Sequence, residues 1–211
     1  LECLNSIFSK MDSVCELNDV MKIETVSEEY VAAVGVAPLE HARSNDDHSL
    51  LLGGLVNAVV DLFAFRPHEH LGFKMGLHTG SLVAGVIGEK LPRFRLFGDT
   101  MNTAARMMQK GSAGKAQFSE ETKNHLPGWA HYKHRGPIEM KGKGLVETYK
   151  LDWKTIYRER GQRSTPRTTI KTEVSDDSNK STFSTWAVDD QPVLDKHMSE
   201  NVKFATVVKA L

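Results

Sequence analysis

The stretch that decides the fold is Arg-Phe-Arg-Leu-Phe-Gly-Asp-Thr-Met-Asn-Thr-Ala-Ala-Arg-Met, residues 93–107. It begins with a strand-like apolar run, which a glycine interrupts. The carboxylate of Asp99 can then accept from the free amides of a first helical turn, so the pattern predicts a helix starting near Thr100. Asn102 and Arg106 are four residues apart and therefore project from one face of that helix. The junction places a neutral amide and a permanent cation side by side.

Composition limits the class of protein. The chain has 211 residues and is 40% hydrophobic, which suffices for one packed domain with an appendage. Lys plus Arg and Asp plus Glu number 27 each, so no general nucleic-acid or membrane partner is indicated. Cys3 and Cys15 are too few for a disulfide framework and fit a reducing compartment. The longest apolar run, residues 50–65, contains Asn57 and Asp61 and is too short for a membrane span.

Hydrophobic periodicity predicts interleaved helices and strands. Strands are expected at residues 20–25, 30–36, 71–78, 82–87, 116–118, 131–135 and 146–151, the first two forming a hairpin. Helices are expected over residues 1–14, from a cap at Ser44 or Asn45 to Pro67, after residue 99, and after a cap at Ser119, with a polar loop at residues 39–47. Mixed hairpins and crossovers predict an α/β or α+β fold, with helices on one side of a mostly antiparallel sheet.

The sequence changes character after residue 153, so we predict a domain over residues 1–153 and a tail over residues 154–211. Residues 158–182 are rich in Ser, Thr and charged side chains, with too little apolar surface to offset the entropy of ordering. This part is predicted to be disordered. Residues 202–211 have a weak amphipathic pattern, which fits either a docking helix or a frayed terminus.

Residues 97–107 resemble the signature of class III nucleotidyl cyclase catalytic domains in the form that guanylyl cyclases use. Three other stretches agree in order: Lys-Ile-Glu-Thr at 22–25, the glycine-rich run at 76–88, and Met-Lys-Gly-Lys-Gly at 140–144. The resemblance covers roughly residues 1–151 and implies a ferredoxin-like sheet, with the family's first strand missing from this chain. It also implies conversion of GTP to 3′,5′-cyclic GMP and pyrophosphate in intracellular signalling.

Cyclisation of a nucleoside triphosphate requires in-line attack of the ribose 3′-hydroxyl on the α-phosphorus, so it depends on positioning and charge stabilisation. Arg106 supplies fixed donors for charge on the α-phosphate, and Asn102 can hold the ribose, which are the roles of the matching family residues. The family's triphosphate-binding lysine matches Lys141, whereas Lys143 is interpreted as an ordinary turn residue. An alternative interpretation makes Arg106 a surface ion-pair residue and Asn102 a local cap. The glycine runs do not have P-loop spacing.

Base choice is argued from Glu24. Guanine presents two adjacent donors that one carboxylate can accept together, whereas the unprotonated N1 of adenine repels a carboxylate, so Glu24 favours guanine. The second base-recognition position of the family matches Arg95, where guanylyl cyclases usually have a small residue. Arg95 can donate to O6 and N7 of guanine. In an alternative interpretation Arg95 pairs with Glu24 and blocks the pocket.

The family uses two Asp carboxylates to hold two Mg²⁺ or Mn²⁺ ions. By resemblance the first precedes residue 1 and the second matches Glu28, whose longer side chain in a turn without glycine suits octahedral Mg²⁺ poorly. We therefore expect the metals to be held mainly by a partner subunit or by residues upstream, and the chain to work in a homodimer or heterodimer of cyclase domains. The resemblance further suggests a cytoplasmic domain, including that of a membrane-anchored receptor cyclase.

Two alternatives for function stay open at this stage. A catalytically inactive cyclase-homology subunit, kept for dimerisation or regulation, would bind no GTP and give no product with any partner. An adenylate cyclase is the other alternative, and Glu24 argues against it.

Overall fold

The computed structural model describes the backbone of residues 2–65, 72–88, 90–163 and 199–210, and the side chains of residues 4–37, 48–65, 72–88 and 90–162. Its elements in chain order are α1 (Glu2–Leu17), β1 (Met21–Val26), β2 (Glu29–Val34), α2 (Pro38–Ala64), β3 (Lys74–Ile87), β4 (Arg93–Phe97), α3 (Asp99–Gln109), β5 (Lys115–Ser119), α4 (Glu120–Asn124), β6 (Tyr132–Met140), β7 (Gly144–Leu151), α5 (Trp153–Arg163) and β8 (Ser199–Ala210).

The strands form an 8-stranded sheet in the order β1-β2-β8-β3-β5-β7-β6, and β4 also pairs with β3. Every pairing is antiparallel except that of β3 with β5. The predicted α+β class with a mostly antiparallel sheet is confirmed, and so is the hairpin of β1 and β2. No helix within the described ranges is long and apolar enough to cross a membrane.

Strand β2 shows that the sheet is covered on both faces. Its residues Tyr30, Ala32 and Val34 pack into a core with α1, α2 and α5, whereas Val31 and Ala33 belong to a second cluster with β4 and α3. Side chains alternate between the faces of a strand, so a strand that is apolar throughout is buried on both. The prediction of helices on one side of the sheet is therefore wrong, because α3 packs on the opposite face.

Helix α3 lies against β3 at backbone contact distance. A Cβ atom on Gly76 would be 2.1 Å from the Met108 nitrogen and 2.4 Å from the Ala104 carbonyl oxygen. One turn of the helix away, a Cβ on Gly80 would lie 2.7 Å from the Thr100 hydroxyl. Real side-chain atoms do not approach so closely, so the position of α3 depends on these two glycines.

Strand β8 lies in the middle of the sheet although it is the last element of the described chain. Val207 pairs with Ala33 of β2 on one side and with His78 of β3 on the other. Both edges of β8 are thus hydrogen-bonded, as a central strand requires. The docking helix and the frayed terminus predicted for residues 202–211 are both wrong for residues 202–210. The β-branched residues in this run favour a strand.

Two further boundaries differ from the predictions. Residues 39–47 belong to α2 and not to a loop, since the helix begins at Pro38 and proline suits a first helical turn. The strands predicted at 71–78 and 82–87 join into the continuous β3, although residue 71 lies outside the described residues.

The predicted tail also begins with regular structure. Its first residues form α5, where Ile156 is buried and Trp153 stacks on Phe63 with ring centroids 5.5 Å apart. Apolar contacts with α2 thus stabilise a helix at the start of the tail, where the polar composition had predicted no regular structure. The prediction of disorder is wrong for residues 158–163, which belong to α5, and residues 164–182 of that segment lie outside the described residues.

Replacing Gly76 by alanine tests the contact of α3 with β3. The added methyl group meets helix backbone that cannot rotate away, so we expect the free energy of unfolding to fall by about 2–3 kcal/mol, the usual cost of overpacking. Gly128→Ala is the matched control, because nothing lies within 4 Å of a Cβ at that position. Urea denaturation measures both, and equal stability of the two variants would contradict the contact.

Candidate active site

A short hairpin turn carries the predicted triphosphate lysine. Met140 pairs with Gly144 at the end of the β6–β7 ladder, so residues 141–143 form the turn. Its backbone closes through a hydrogen bond from the Lys143 nitrogen to the Met140 carbonyl at 3.0 Å. Gly142 and Gly144 have φ angles of 79° and 71°, a conformation that glycine adopts without strain. Lys141 is exposed at the start of this turn.

Arg106 reaches the same turn from α3. Its Nη1 donates to the Lys141 carbonyl oxygen at 2.7 Å. The two residues line a cavity of about 460 Å³ together with Gln109, Lys110, Glu139 and Met140. Three cationic side chains and one carboxylate surround this space, so it suits a ligand with several negative charges. The structure thus brings two of the predicted site residues together.

Asp99 ties the turn to the start of α3. The helix begins at Asp99, with Gly98 as its N-cap residue and no side-chain capping hydrogen bond. The Asp99 carboxylate instead forms an ion pair with Lys143 and accepts from the Thr103 hydroxyl at 3.3 Å. The Lys143 ammonium holds the pKa of Asp99 below its usual value. The predicted capping role of Asp99 is therefore wrong, because Lys143 engages the carboxylate.

A buried histidine lies beside this ion pair. His78 Nδ1 and the Ser119 hydroxyl share a hydrogen bond of 2.7 Å, and Glu121 lies 3.8 Å from the same nitrogen. Burial lowers the pKa of His78 below its ordinary value, although the Glu121 carboxylate opposes this shift. Ser119 accepts from the Thr122 nitrogen at the start of α4, as predicted. The cluster links β3 to the ends of α3, α4 and the β6–β7 turn.

The two predicted base-recognition residues are in contact. Arg95 Nη1 donates to Glu24 Oε2 at 2.5 Å, which joins β4 to β1. Both side chains are partly exposed, at 38% and 23%. The ion pair that the sequence analysis gave as an alternative is thus present. A carboxylate offers about four acceptor positions and a guanidinium five donors, so each group keeps free hydrogen-bonding capacity.

One apolar cluster adjoins the two base-recognition residues and Asn102. Ile23, Leu96 and Met101 pack in it, and they are the immediate neighbours of Glu24, Arg95 and Asn102 in sequence. The Asn102 side chain is exposed on α3, one turn before Arg106. The predicted residues on β1, β4 and α3 are therefore attached to the same packed region.

Within the described part of the chain, Glu28 does not belong to a metal-binding cluster. It is exposed in the two-residue turn between β1 and β2, after Ser27, whose φ of 53° is one that glycine adopts more easily. Among the described residues, no group of three or more His, Cys, Asp or Glu side chains is placed to hold a metal ion. The residues present therefore do not fit the two-metal site that the resemblance implied.

Two residues or contacts of this region were not predicted from the sequence. Lys110 lines the cavity, and its spacing of four from Arg106 already placed it on the same helical face as Asn102. The pairing of Asp99 with Lys143 had no such local signal, because the residues are far apart in sequence.

Comparison with known proteins identifies the class. A family profile described as the adenylate and guanylate cyclase catalytic domain matches residues 1–152. The chain belongs to this family. Atrial natriuretic peptide receptor 2 from Rattus norvegicus is 38% identical over 151 residues, which cover 70% of this chain and 14% of the receptor. The receptor-type guanylate cyclase gcy-28 of Caenorhabditis elegans is 38% identical over 150 residues, covering 70% of this chain and 12% of that protein.

Solved structures agree with the family. The guanylate cyclase domain of RhGC from Catenaria anguillulae, in complex with GTP, matches with a TM-score of 0.59 and 29% identity, over 70% of this chain and 80% of that one. A guanylyl cyclase domain of the RhoGC fusion protein from Blastocladiella emersonii, described as a non-canonical dimer, matches with a TM-score of 0.58 and 26% identity, over 71% and 81% of the two chains. The chain spans only a small part of the curated receptors it matches, but most of these isolated domains.

The buried His78 gives a pH dependence to stability. Its pKa is lower in the folded than in the unfolded protein, so the unfolded state binds more protons and stability is lost as pH falls below the unfolded value of about 6.5. We expect His78→Asn to flatten the fall in unfolding free energy between pH 7 and 5, where one group contributes at most about 1.4 kcal/mol per pH unit. The carboxylates with lowered pKa values, Asp99, Glu121 and Asp152, titrate below this window. Urea denaturation across the pH range measures the slope, and an unchanged slope would contradict this role.

Proposed function

We propose that this chain is a guanylate cyclase domain that converts GTP to 3′,5′-cyclic GMP and pyrophosphate. The observation that carries the proposal is the cavity between α3 and the β6–β7 turn, where Arg106 and Lys141 meet. Its cationic lining suits a triphosphate, and the family and its guanylate cyclase relatives supply the reaction.

Arg106 and Lys141 have different tasks in this proposal. One Arg106 donor is used by the Lys141 carbonyl, which fixes the guanidinium and leaves its other donors for charge developing on the α-phosphate. Among the described residues, no carboxylate is paired with the Lys141 ammonium, which is free to bind the triphosphate. Asn102 lies one helical turn before Arg106 and orients the ribose for in-line attack.

Glu24 and Arg95 are proposed to recognise guanine as a pair. Glu24 accepts from N1–H and the exocyclic amine, while free donors of Arg95 reach O6 and N7. Their ion pair fixes the orientation of the carboxylate without using all of its acceptor positions. This interpretation favours GTP over ATP.

A second cyclase domain is proposed to complete the site. The described residues of this chain do not fit a metal site, so the divalent metal on which the family depends requires carboxylates from elsewhere. The β3–β4 hairpin exposes several large apolar side chains, distributed over both of its faces, and exposed apolar surface of this kind supports the proposal of a protein interface. These residues are Val86, Ile87, Leu91, Phe94 and Phe97. The guanylyl cyclase domain of the fungal RhoGC fusion protein forms a non-canonical dimer, which supports pairing between cyclase domains but not a particular interface.

The place of this domain in a longer protein is proposed from the relatives. Both curated relatives are named as receptors or receptor-type cyclases, and this chain matches 14% or less of their length. We accordingly place the domain on the cytoplasmic side of a signalling protein, where GTP is available.

Arg106→Ala tests the reaction in the full chain, co-expressed with a cyclase domain that carries both metal carboxylates. We expect cyclic GMP formation to fall about 100-fold or more, the usual effect of removing one preorganised donor to transition-state charge. Arg158→Ala, at an exposed arginine on α5, is the control and retains activity. Undiminished product from Arg106→Ala contradicts the assignment. A wild type that gives neither product nor stabilisation by GTP favours the inactive homology subunit.

Glu24→Gln tests base recognition. The amide keeps the shape of the side chain but replaces one acceptor by a donor, so we expect the ratio of ATP to GTP dissociation constants to fall about tenfold or more. Isothermal titration calorimetry with the two nucleotides measures the ratio. Arg95→Ala is its companion: weaker GTP binding supports recognition by the pair, whereas tighter binding shows that Arg95 blocks the pocket.

A further inference from the structure

The β6–β7 turn is attached to α3 at two separate points. The Lys141 carbonyl accepts from Arg106, and the Lys143 ammonium pairs with Asp99. Asp99 and Arg106 are seven residues apart, which is about 10 Å along a helix that rises about 1.5 Å per residue. Residues at this spacing lie on the same helical face, two turns apart. Two attachments so placed fix both the distance and the orientation of the turn relative to the helix.

The turn has little means of holding this orientation alone. Gly142 and Gly144 flank its last residue, and glycine has the largest backbone freedom of any residue. One backbone hydrogen bond closes it, from the Lys143 nitrogen to Met140. Lys141 is exposed at the edge of the cavity, so its location there depends on how the turn is held.

The two lysines of the turn have opposite environments. The Lys143 side chain is 30% exposed and is engaged by Asp99, whose carboxylate is also fixed by the Thr103 hydroxyl. Its positive charge is close enough to lower the pKa values of both His78 and Glu121. Lys143 is therefore held by the protein, and Lys141 projects into the space beside Arg106. The resemblance matched Lys141 to the triphosphate-binding lysine, but the interpretation of Lys143 as an ordinary turn residue did not include its ion pair with Asp99.

We propose that Asp99 and Lys143 are positioning residues, whose ion pair holds the β6–β7 turn against α3 so that Lys141 and Arg106 bind one triphosphate together. This inference rests on the proposed function and deepens it. Neither residue touches the nucleotide in this arrangement. Their effect is on triphosphate affinity, through the placement of Lys141.

Single and exchanged charges distinguish positioning from direct contact. Asp99→Asn and Lys143→Met each break the ion pair, and we expect each to weaken binding of GTP and of inorganic tripolyphosphate about three- to tenfold, in keeping with a partly exposed pair. The double variant Asp99→Lys with Lys143→Asp rebuilds the pair with the charges reversed and is expected to recover affinity to within about twofold. Lys115→Met, at an exposed lysine on β5, is the matched control for loss of a cation and is expected to bind as the wild type does.

The outcomes separate this inference from the proposed function. If the exchanged double variant stays as weak as Lys143→Met, Lys143 contacts the phosphates directly and the positioning role is overturned. Full affinity in both single variants overturns it as well. The pair itself is checked without ligand by carbon NMR of the Asp99 carboxyl, whose pKa is expected to rise toward its ordinary value in Lys143→Met and to stay low in Lys115→Met. If the Asp99 pKa rises in Lys143→Met as expected but the wild type binds no GTP, the ion pair is present and the proposed function is overturned. The positioning role is then overturned as well.

Discussion

The contact between α3 and β3 is made by backbone on backbone, and the candidate site depends on it. At Gly76 the missing side chain leaves room for the helix to lie directly on the strand. Thr100 fixes the start of the helix from the same strand, since its hydroxyl donates to the Ser81 carbonyl at 2.6 Å. Because α3 is fixed on β3 at both Gly76 and Ser81, the helical repeat determines the direction in which Asn102 and Arg106 project. A bulkier residue on β3 would move both groups away from the turn that carries Lys141.

Strand β8 gives the sheet its continuity. It separates the β1–β2 hairpin, which carries Glu24, from β3 and the strands beyond it. Backbone hydrogen bonds on both edges of β8 therefore determine how far Glu24 lies from α3, while the contact of Arg95 with Glu24 bridges the same gap at the surface. The base-recognition and phosphate-binding groups are thus related by long-range pairing and not by a single local motif.

The parts of the site that follow from local periodicity could be predicted. The helix with Asn102 and Arg106 on one face, the hairpin under Glu24 and the glycine-flanked turn with Lys141 all depend on near neighbours in sequence. Strand β8 could not be predicted in this way, because its pairing partners are more than 100 residues away and its own pattern is short. The prediction that Asp99 caps α3 was wrong for a related reason. A carboxylate that suits a helix cap also suits an ion pair with a lysine that is distant in sequence. The start of α5 was missed because its burial comes from contacts with α2.

The central claim is that the cavity between α3 and the β6–β7 turn receives the triphosphate of GTP. The most direct measurement is nitrogen NMR of the Arg106 guanidinium and the Lys141 ammonium while GTP, and separately guanosine, is added to the protein with its partner domain. The account predicts that GTP shifts both signals with one dissociation constant and that guanosine, which lacks phosphates, leaves them in place. Saturable GTP binding that leaves both signals unchanged would contradict the account.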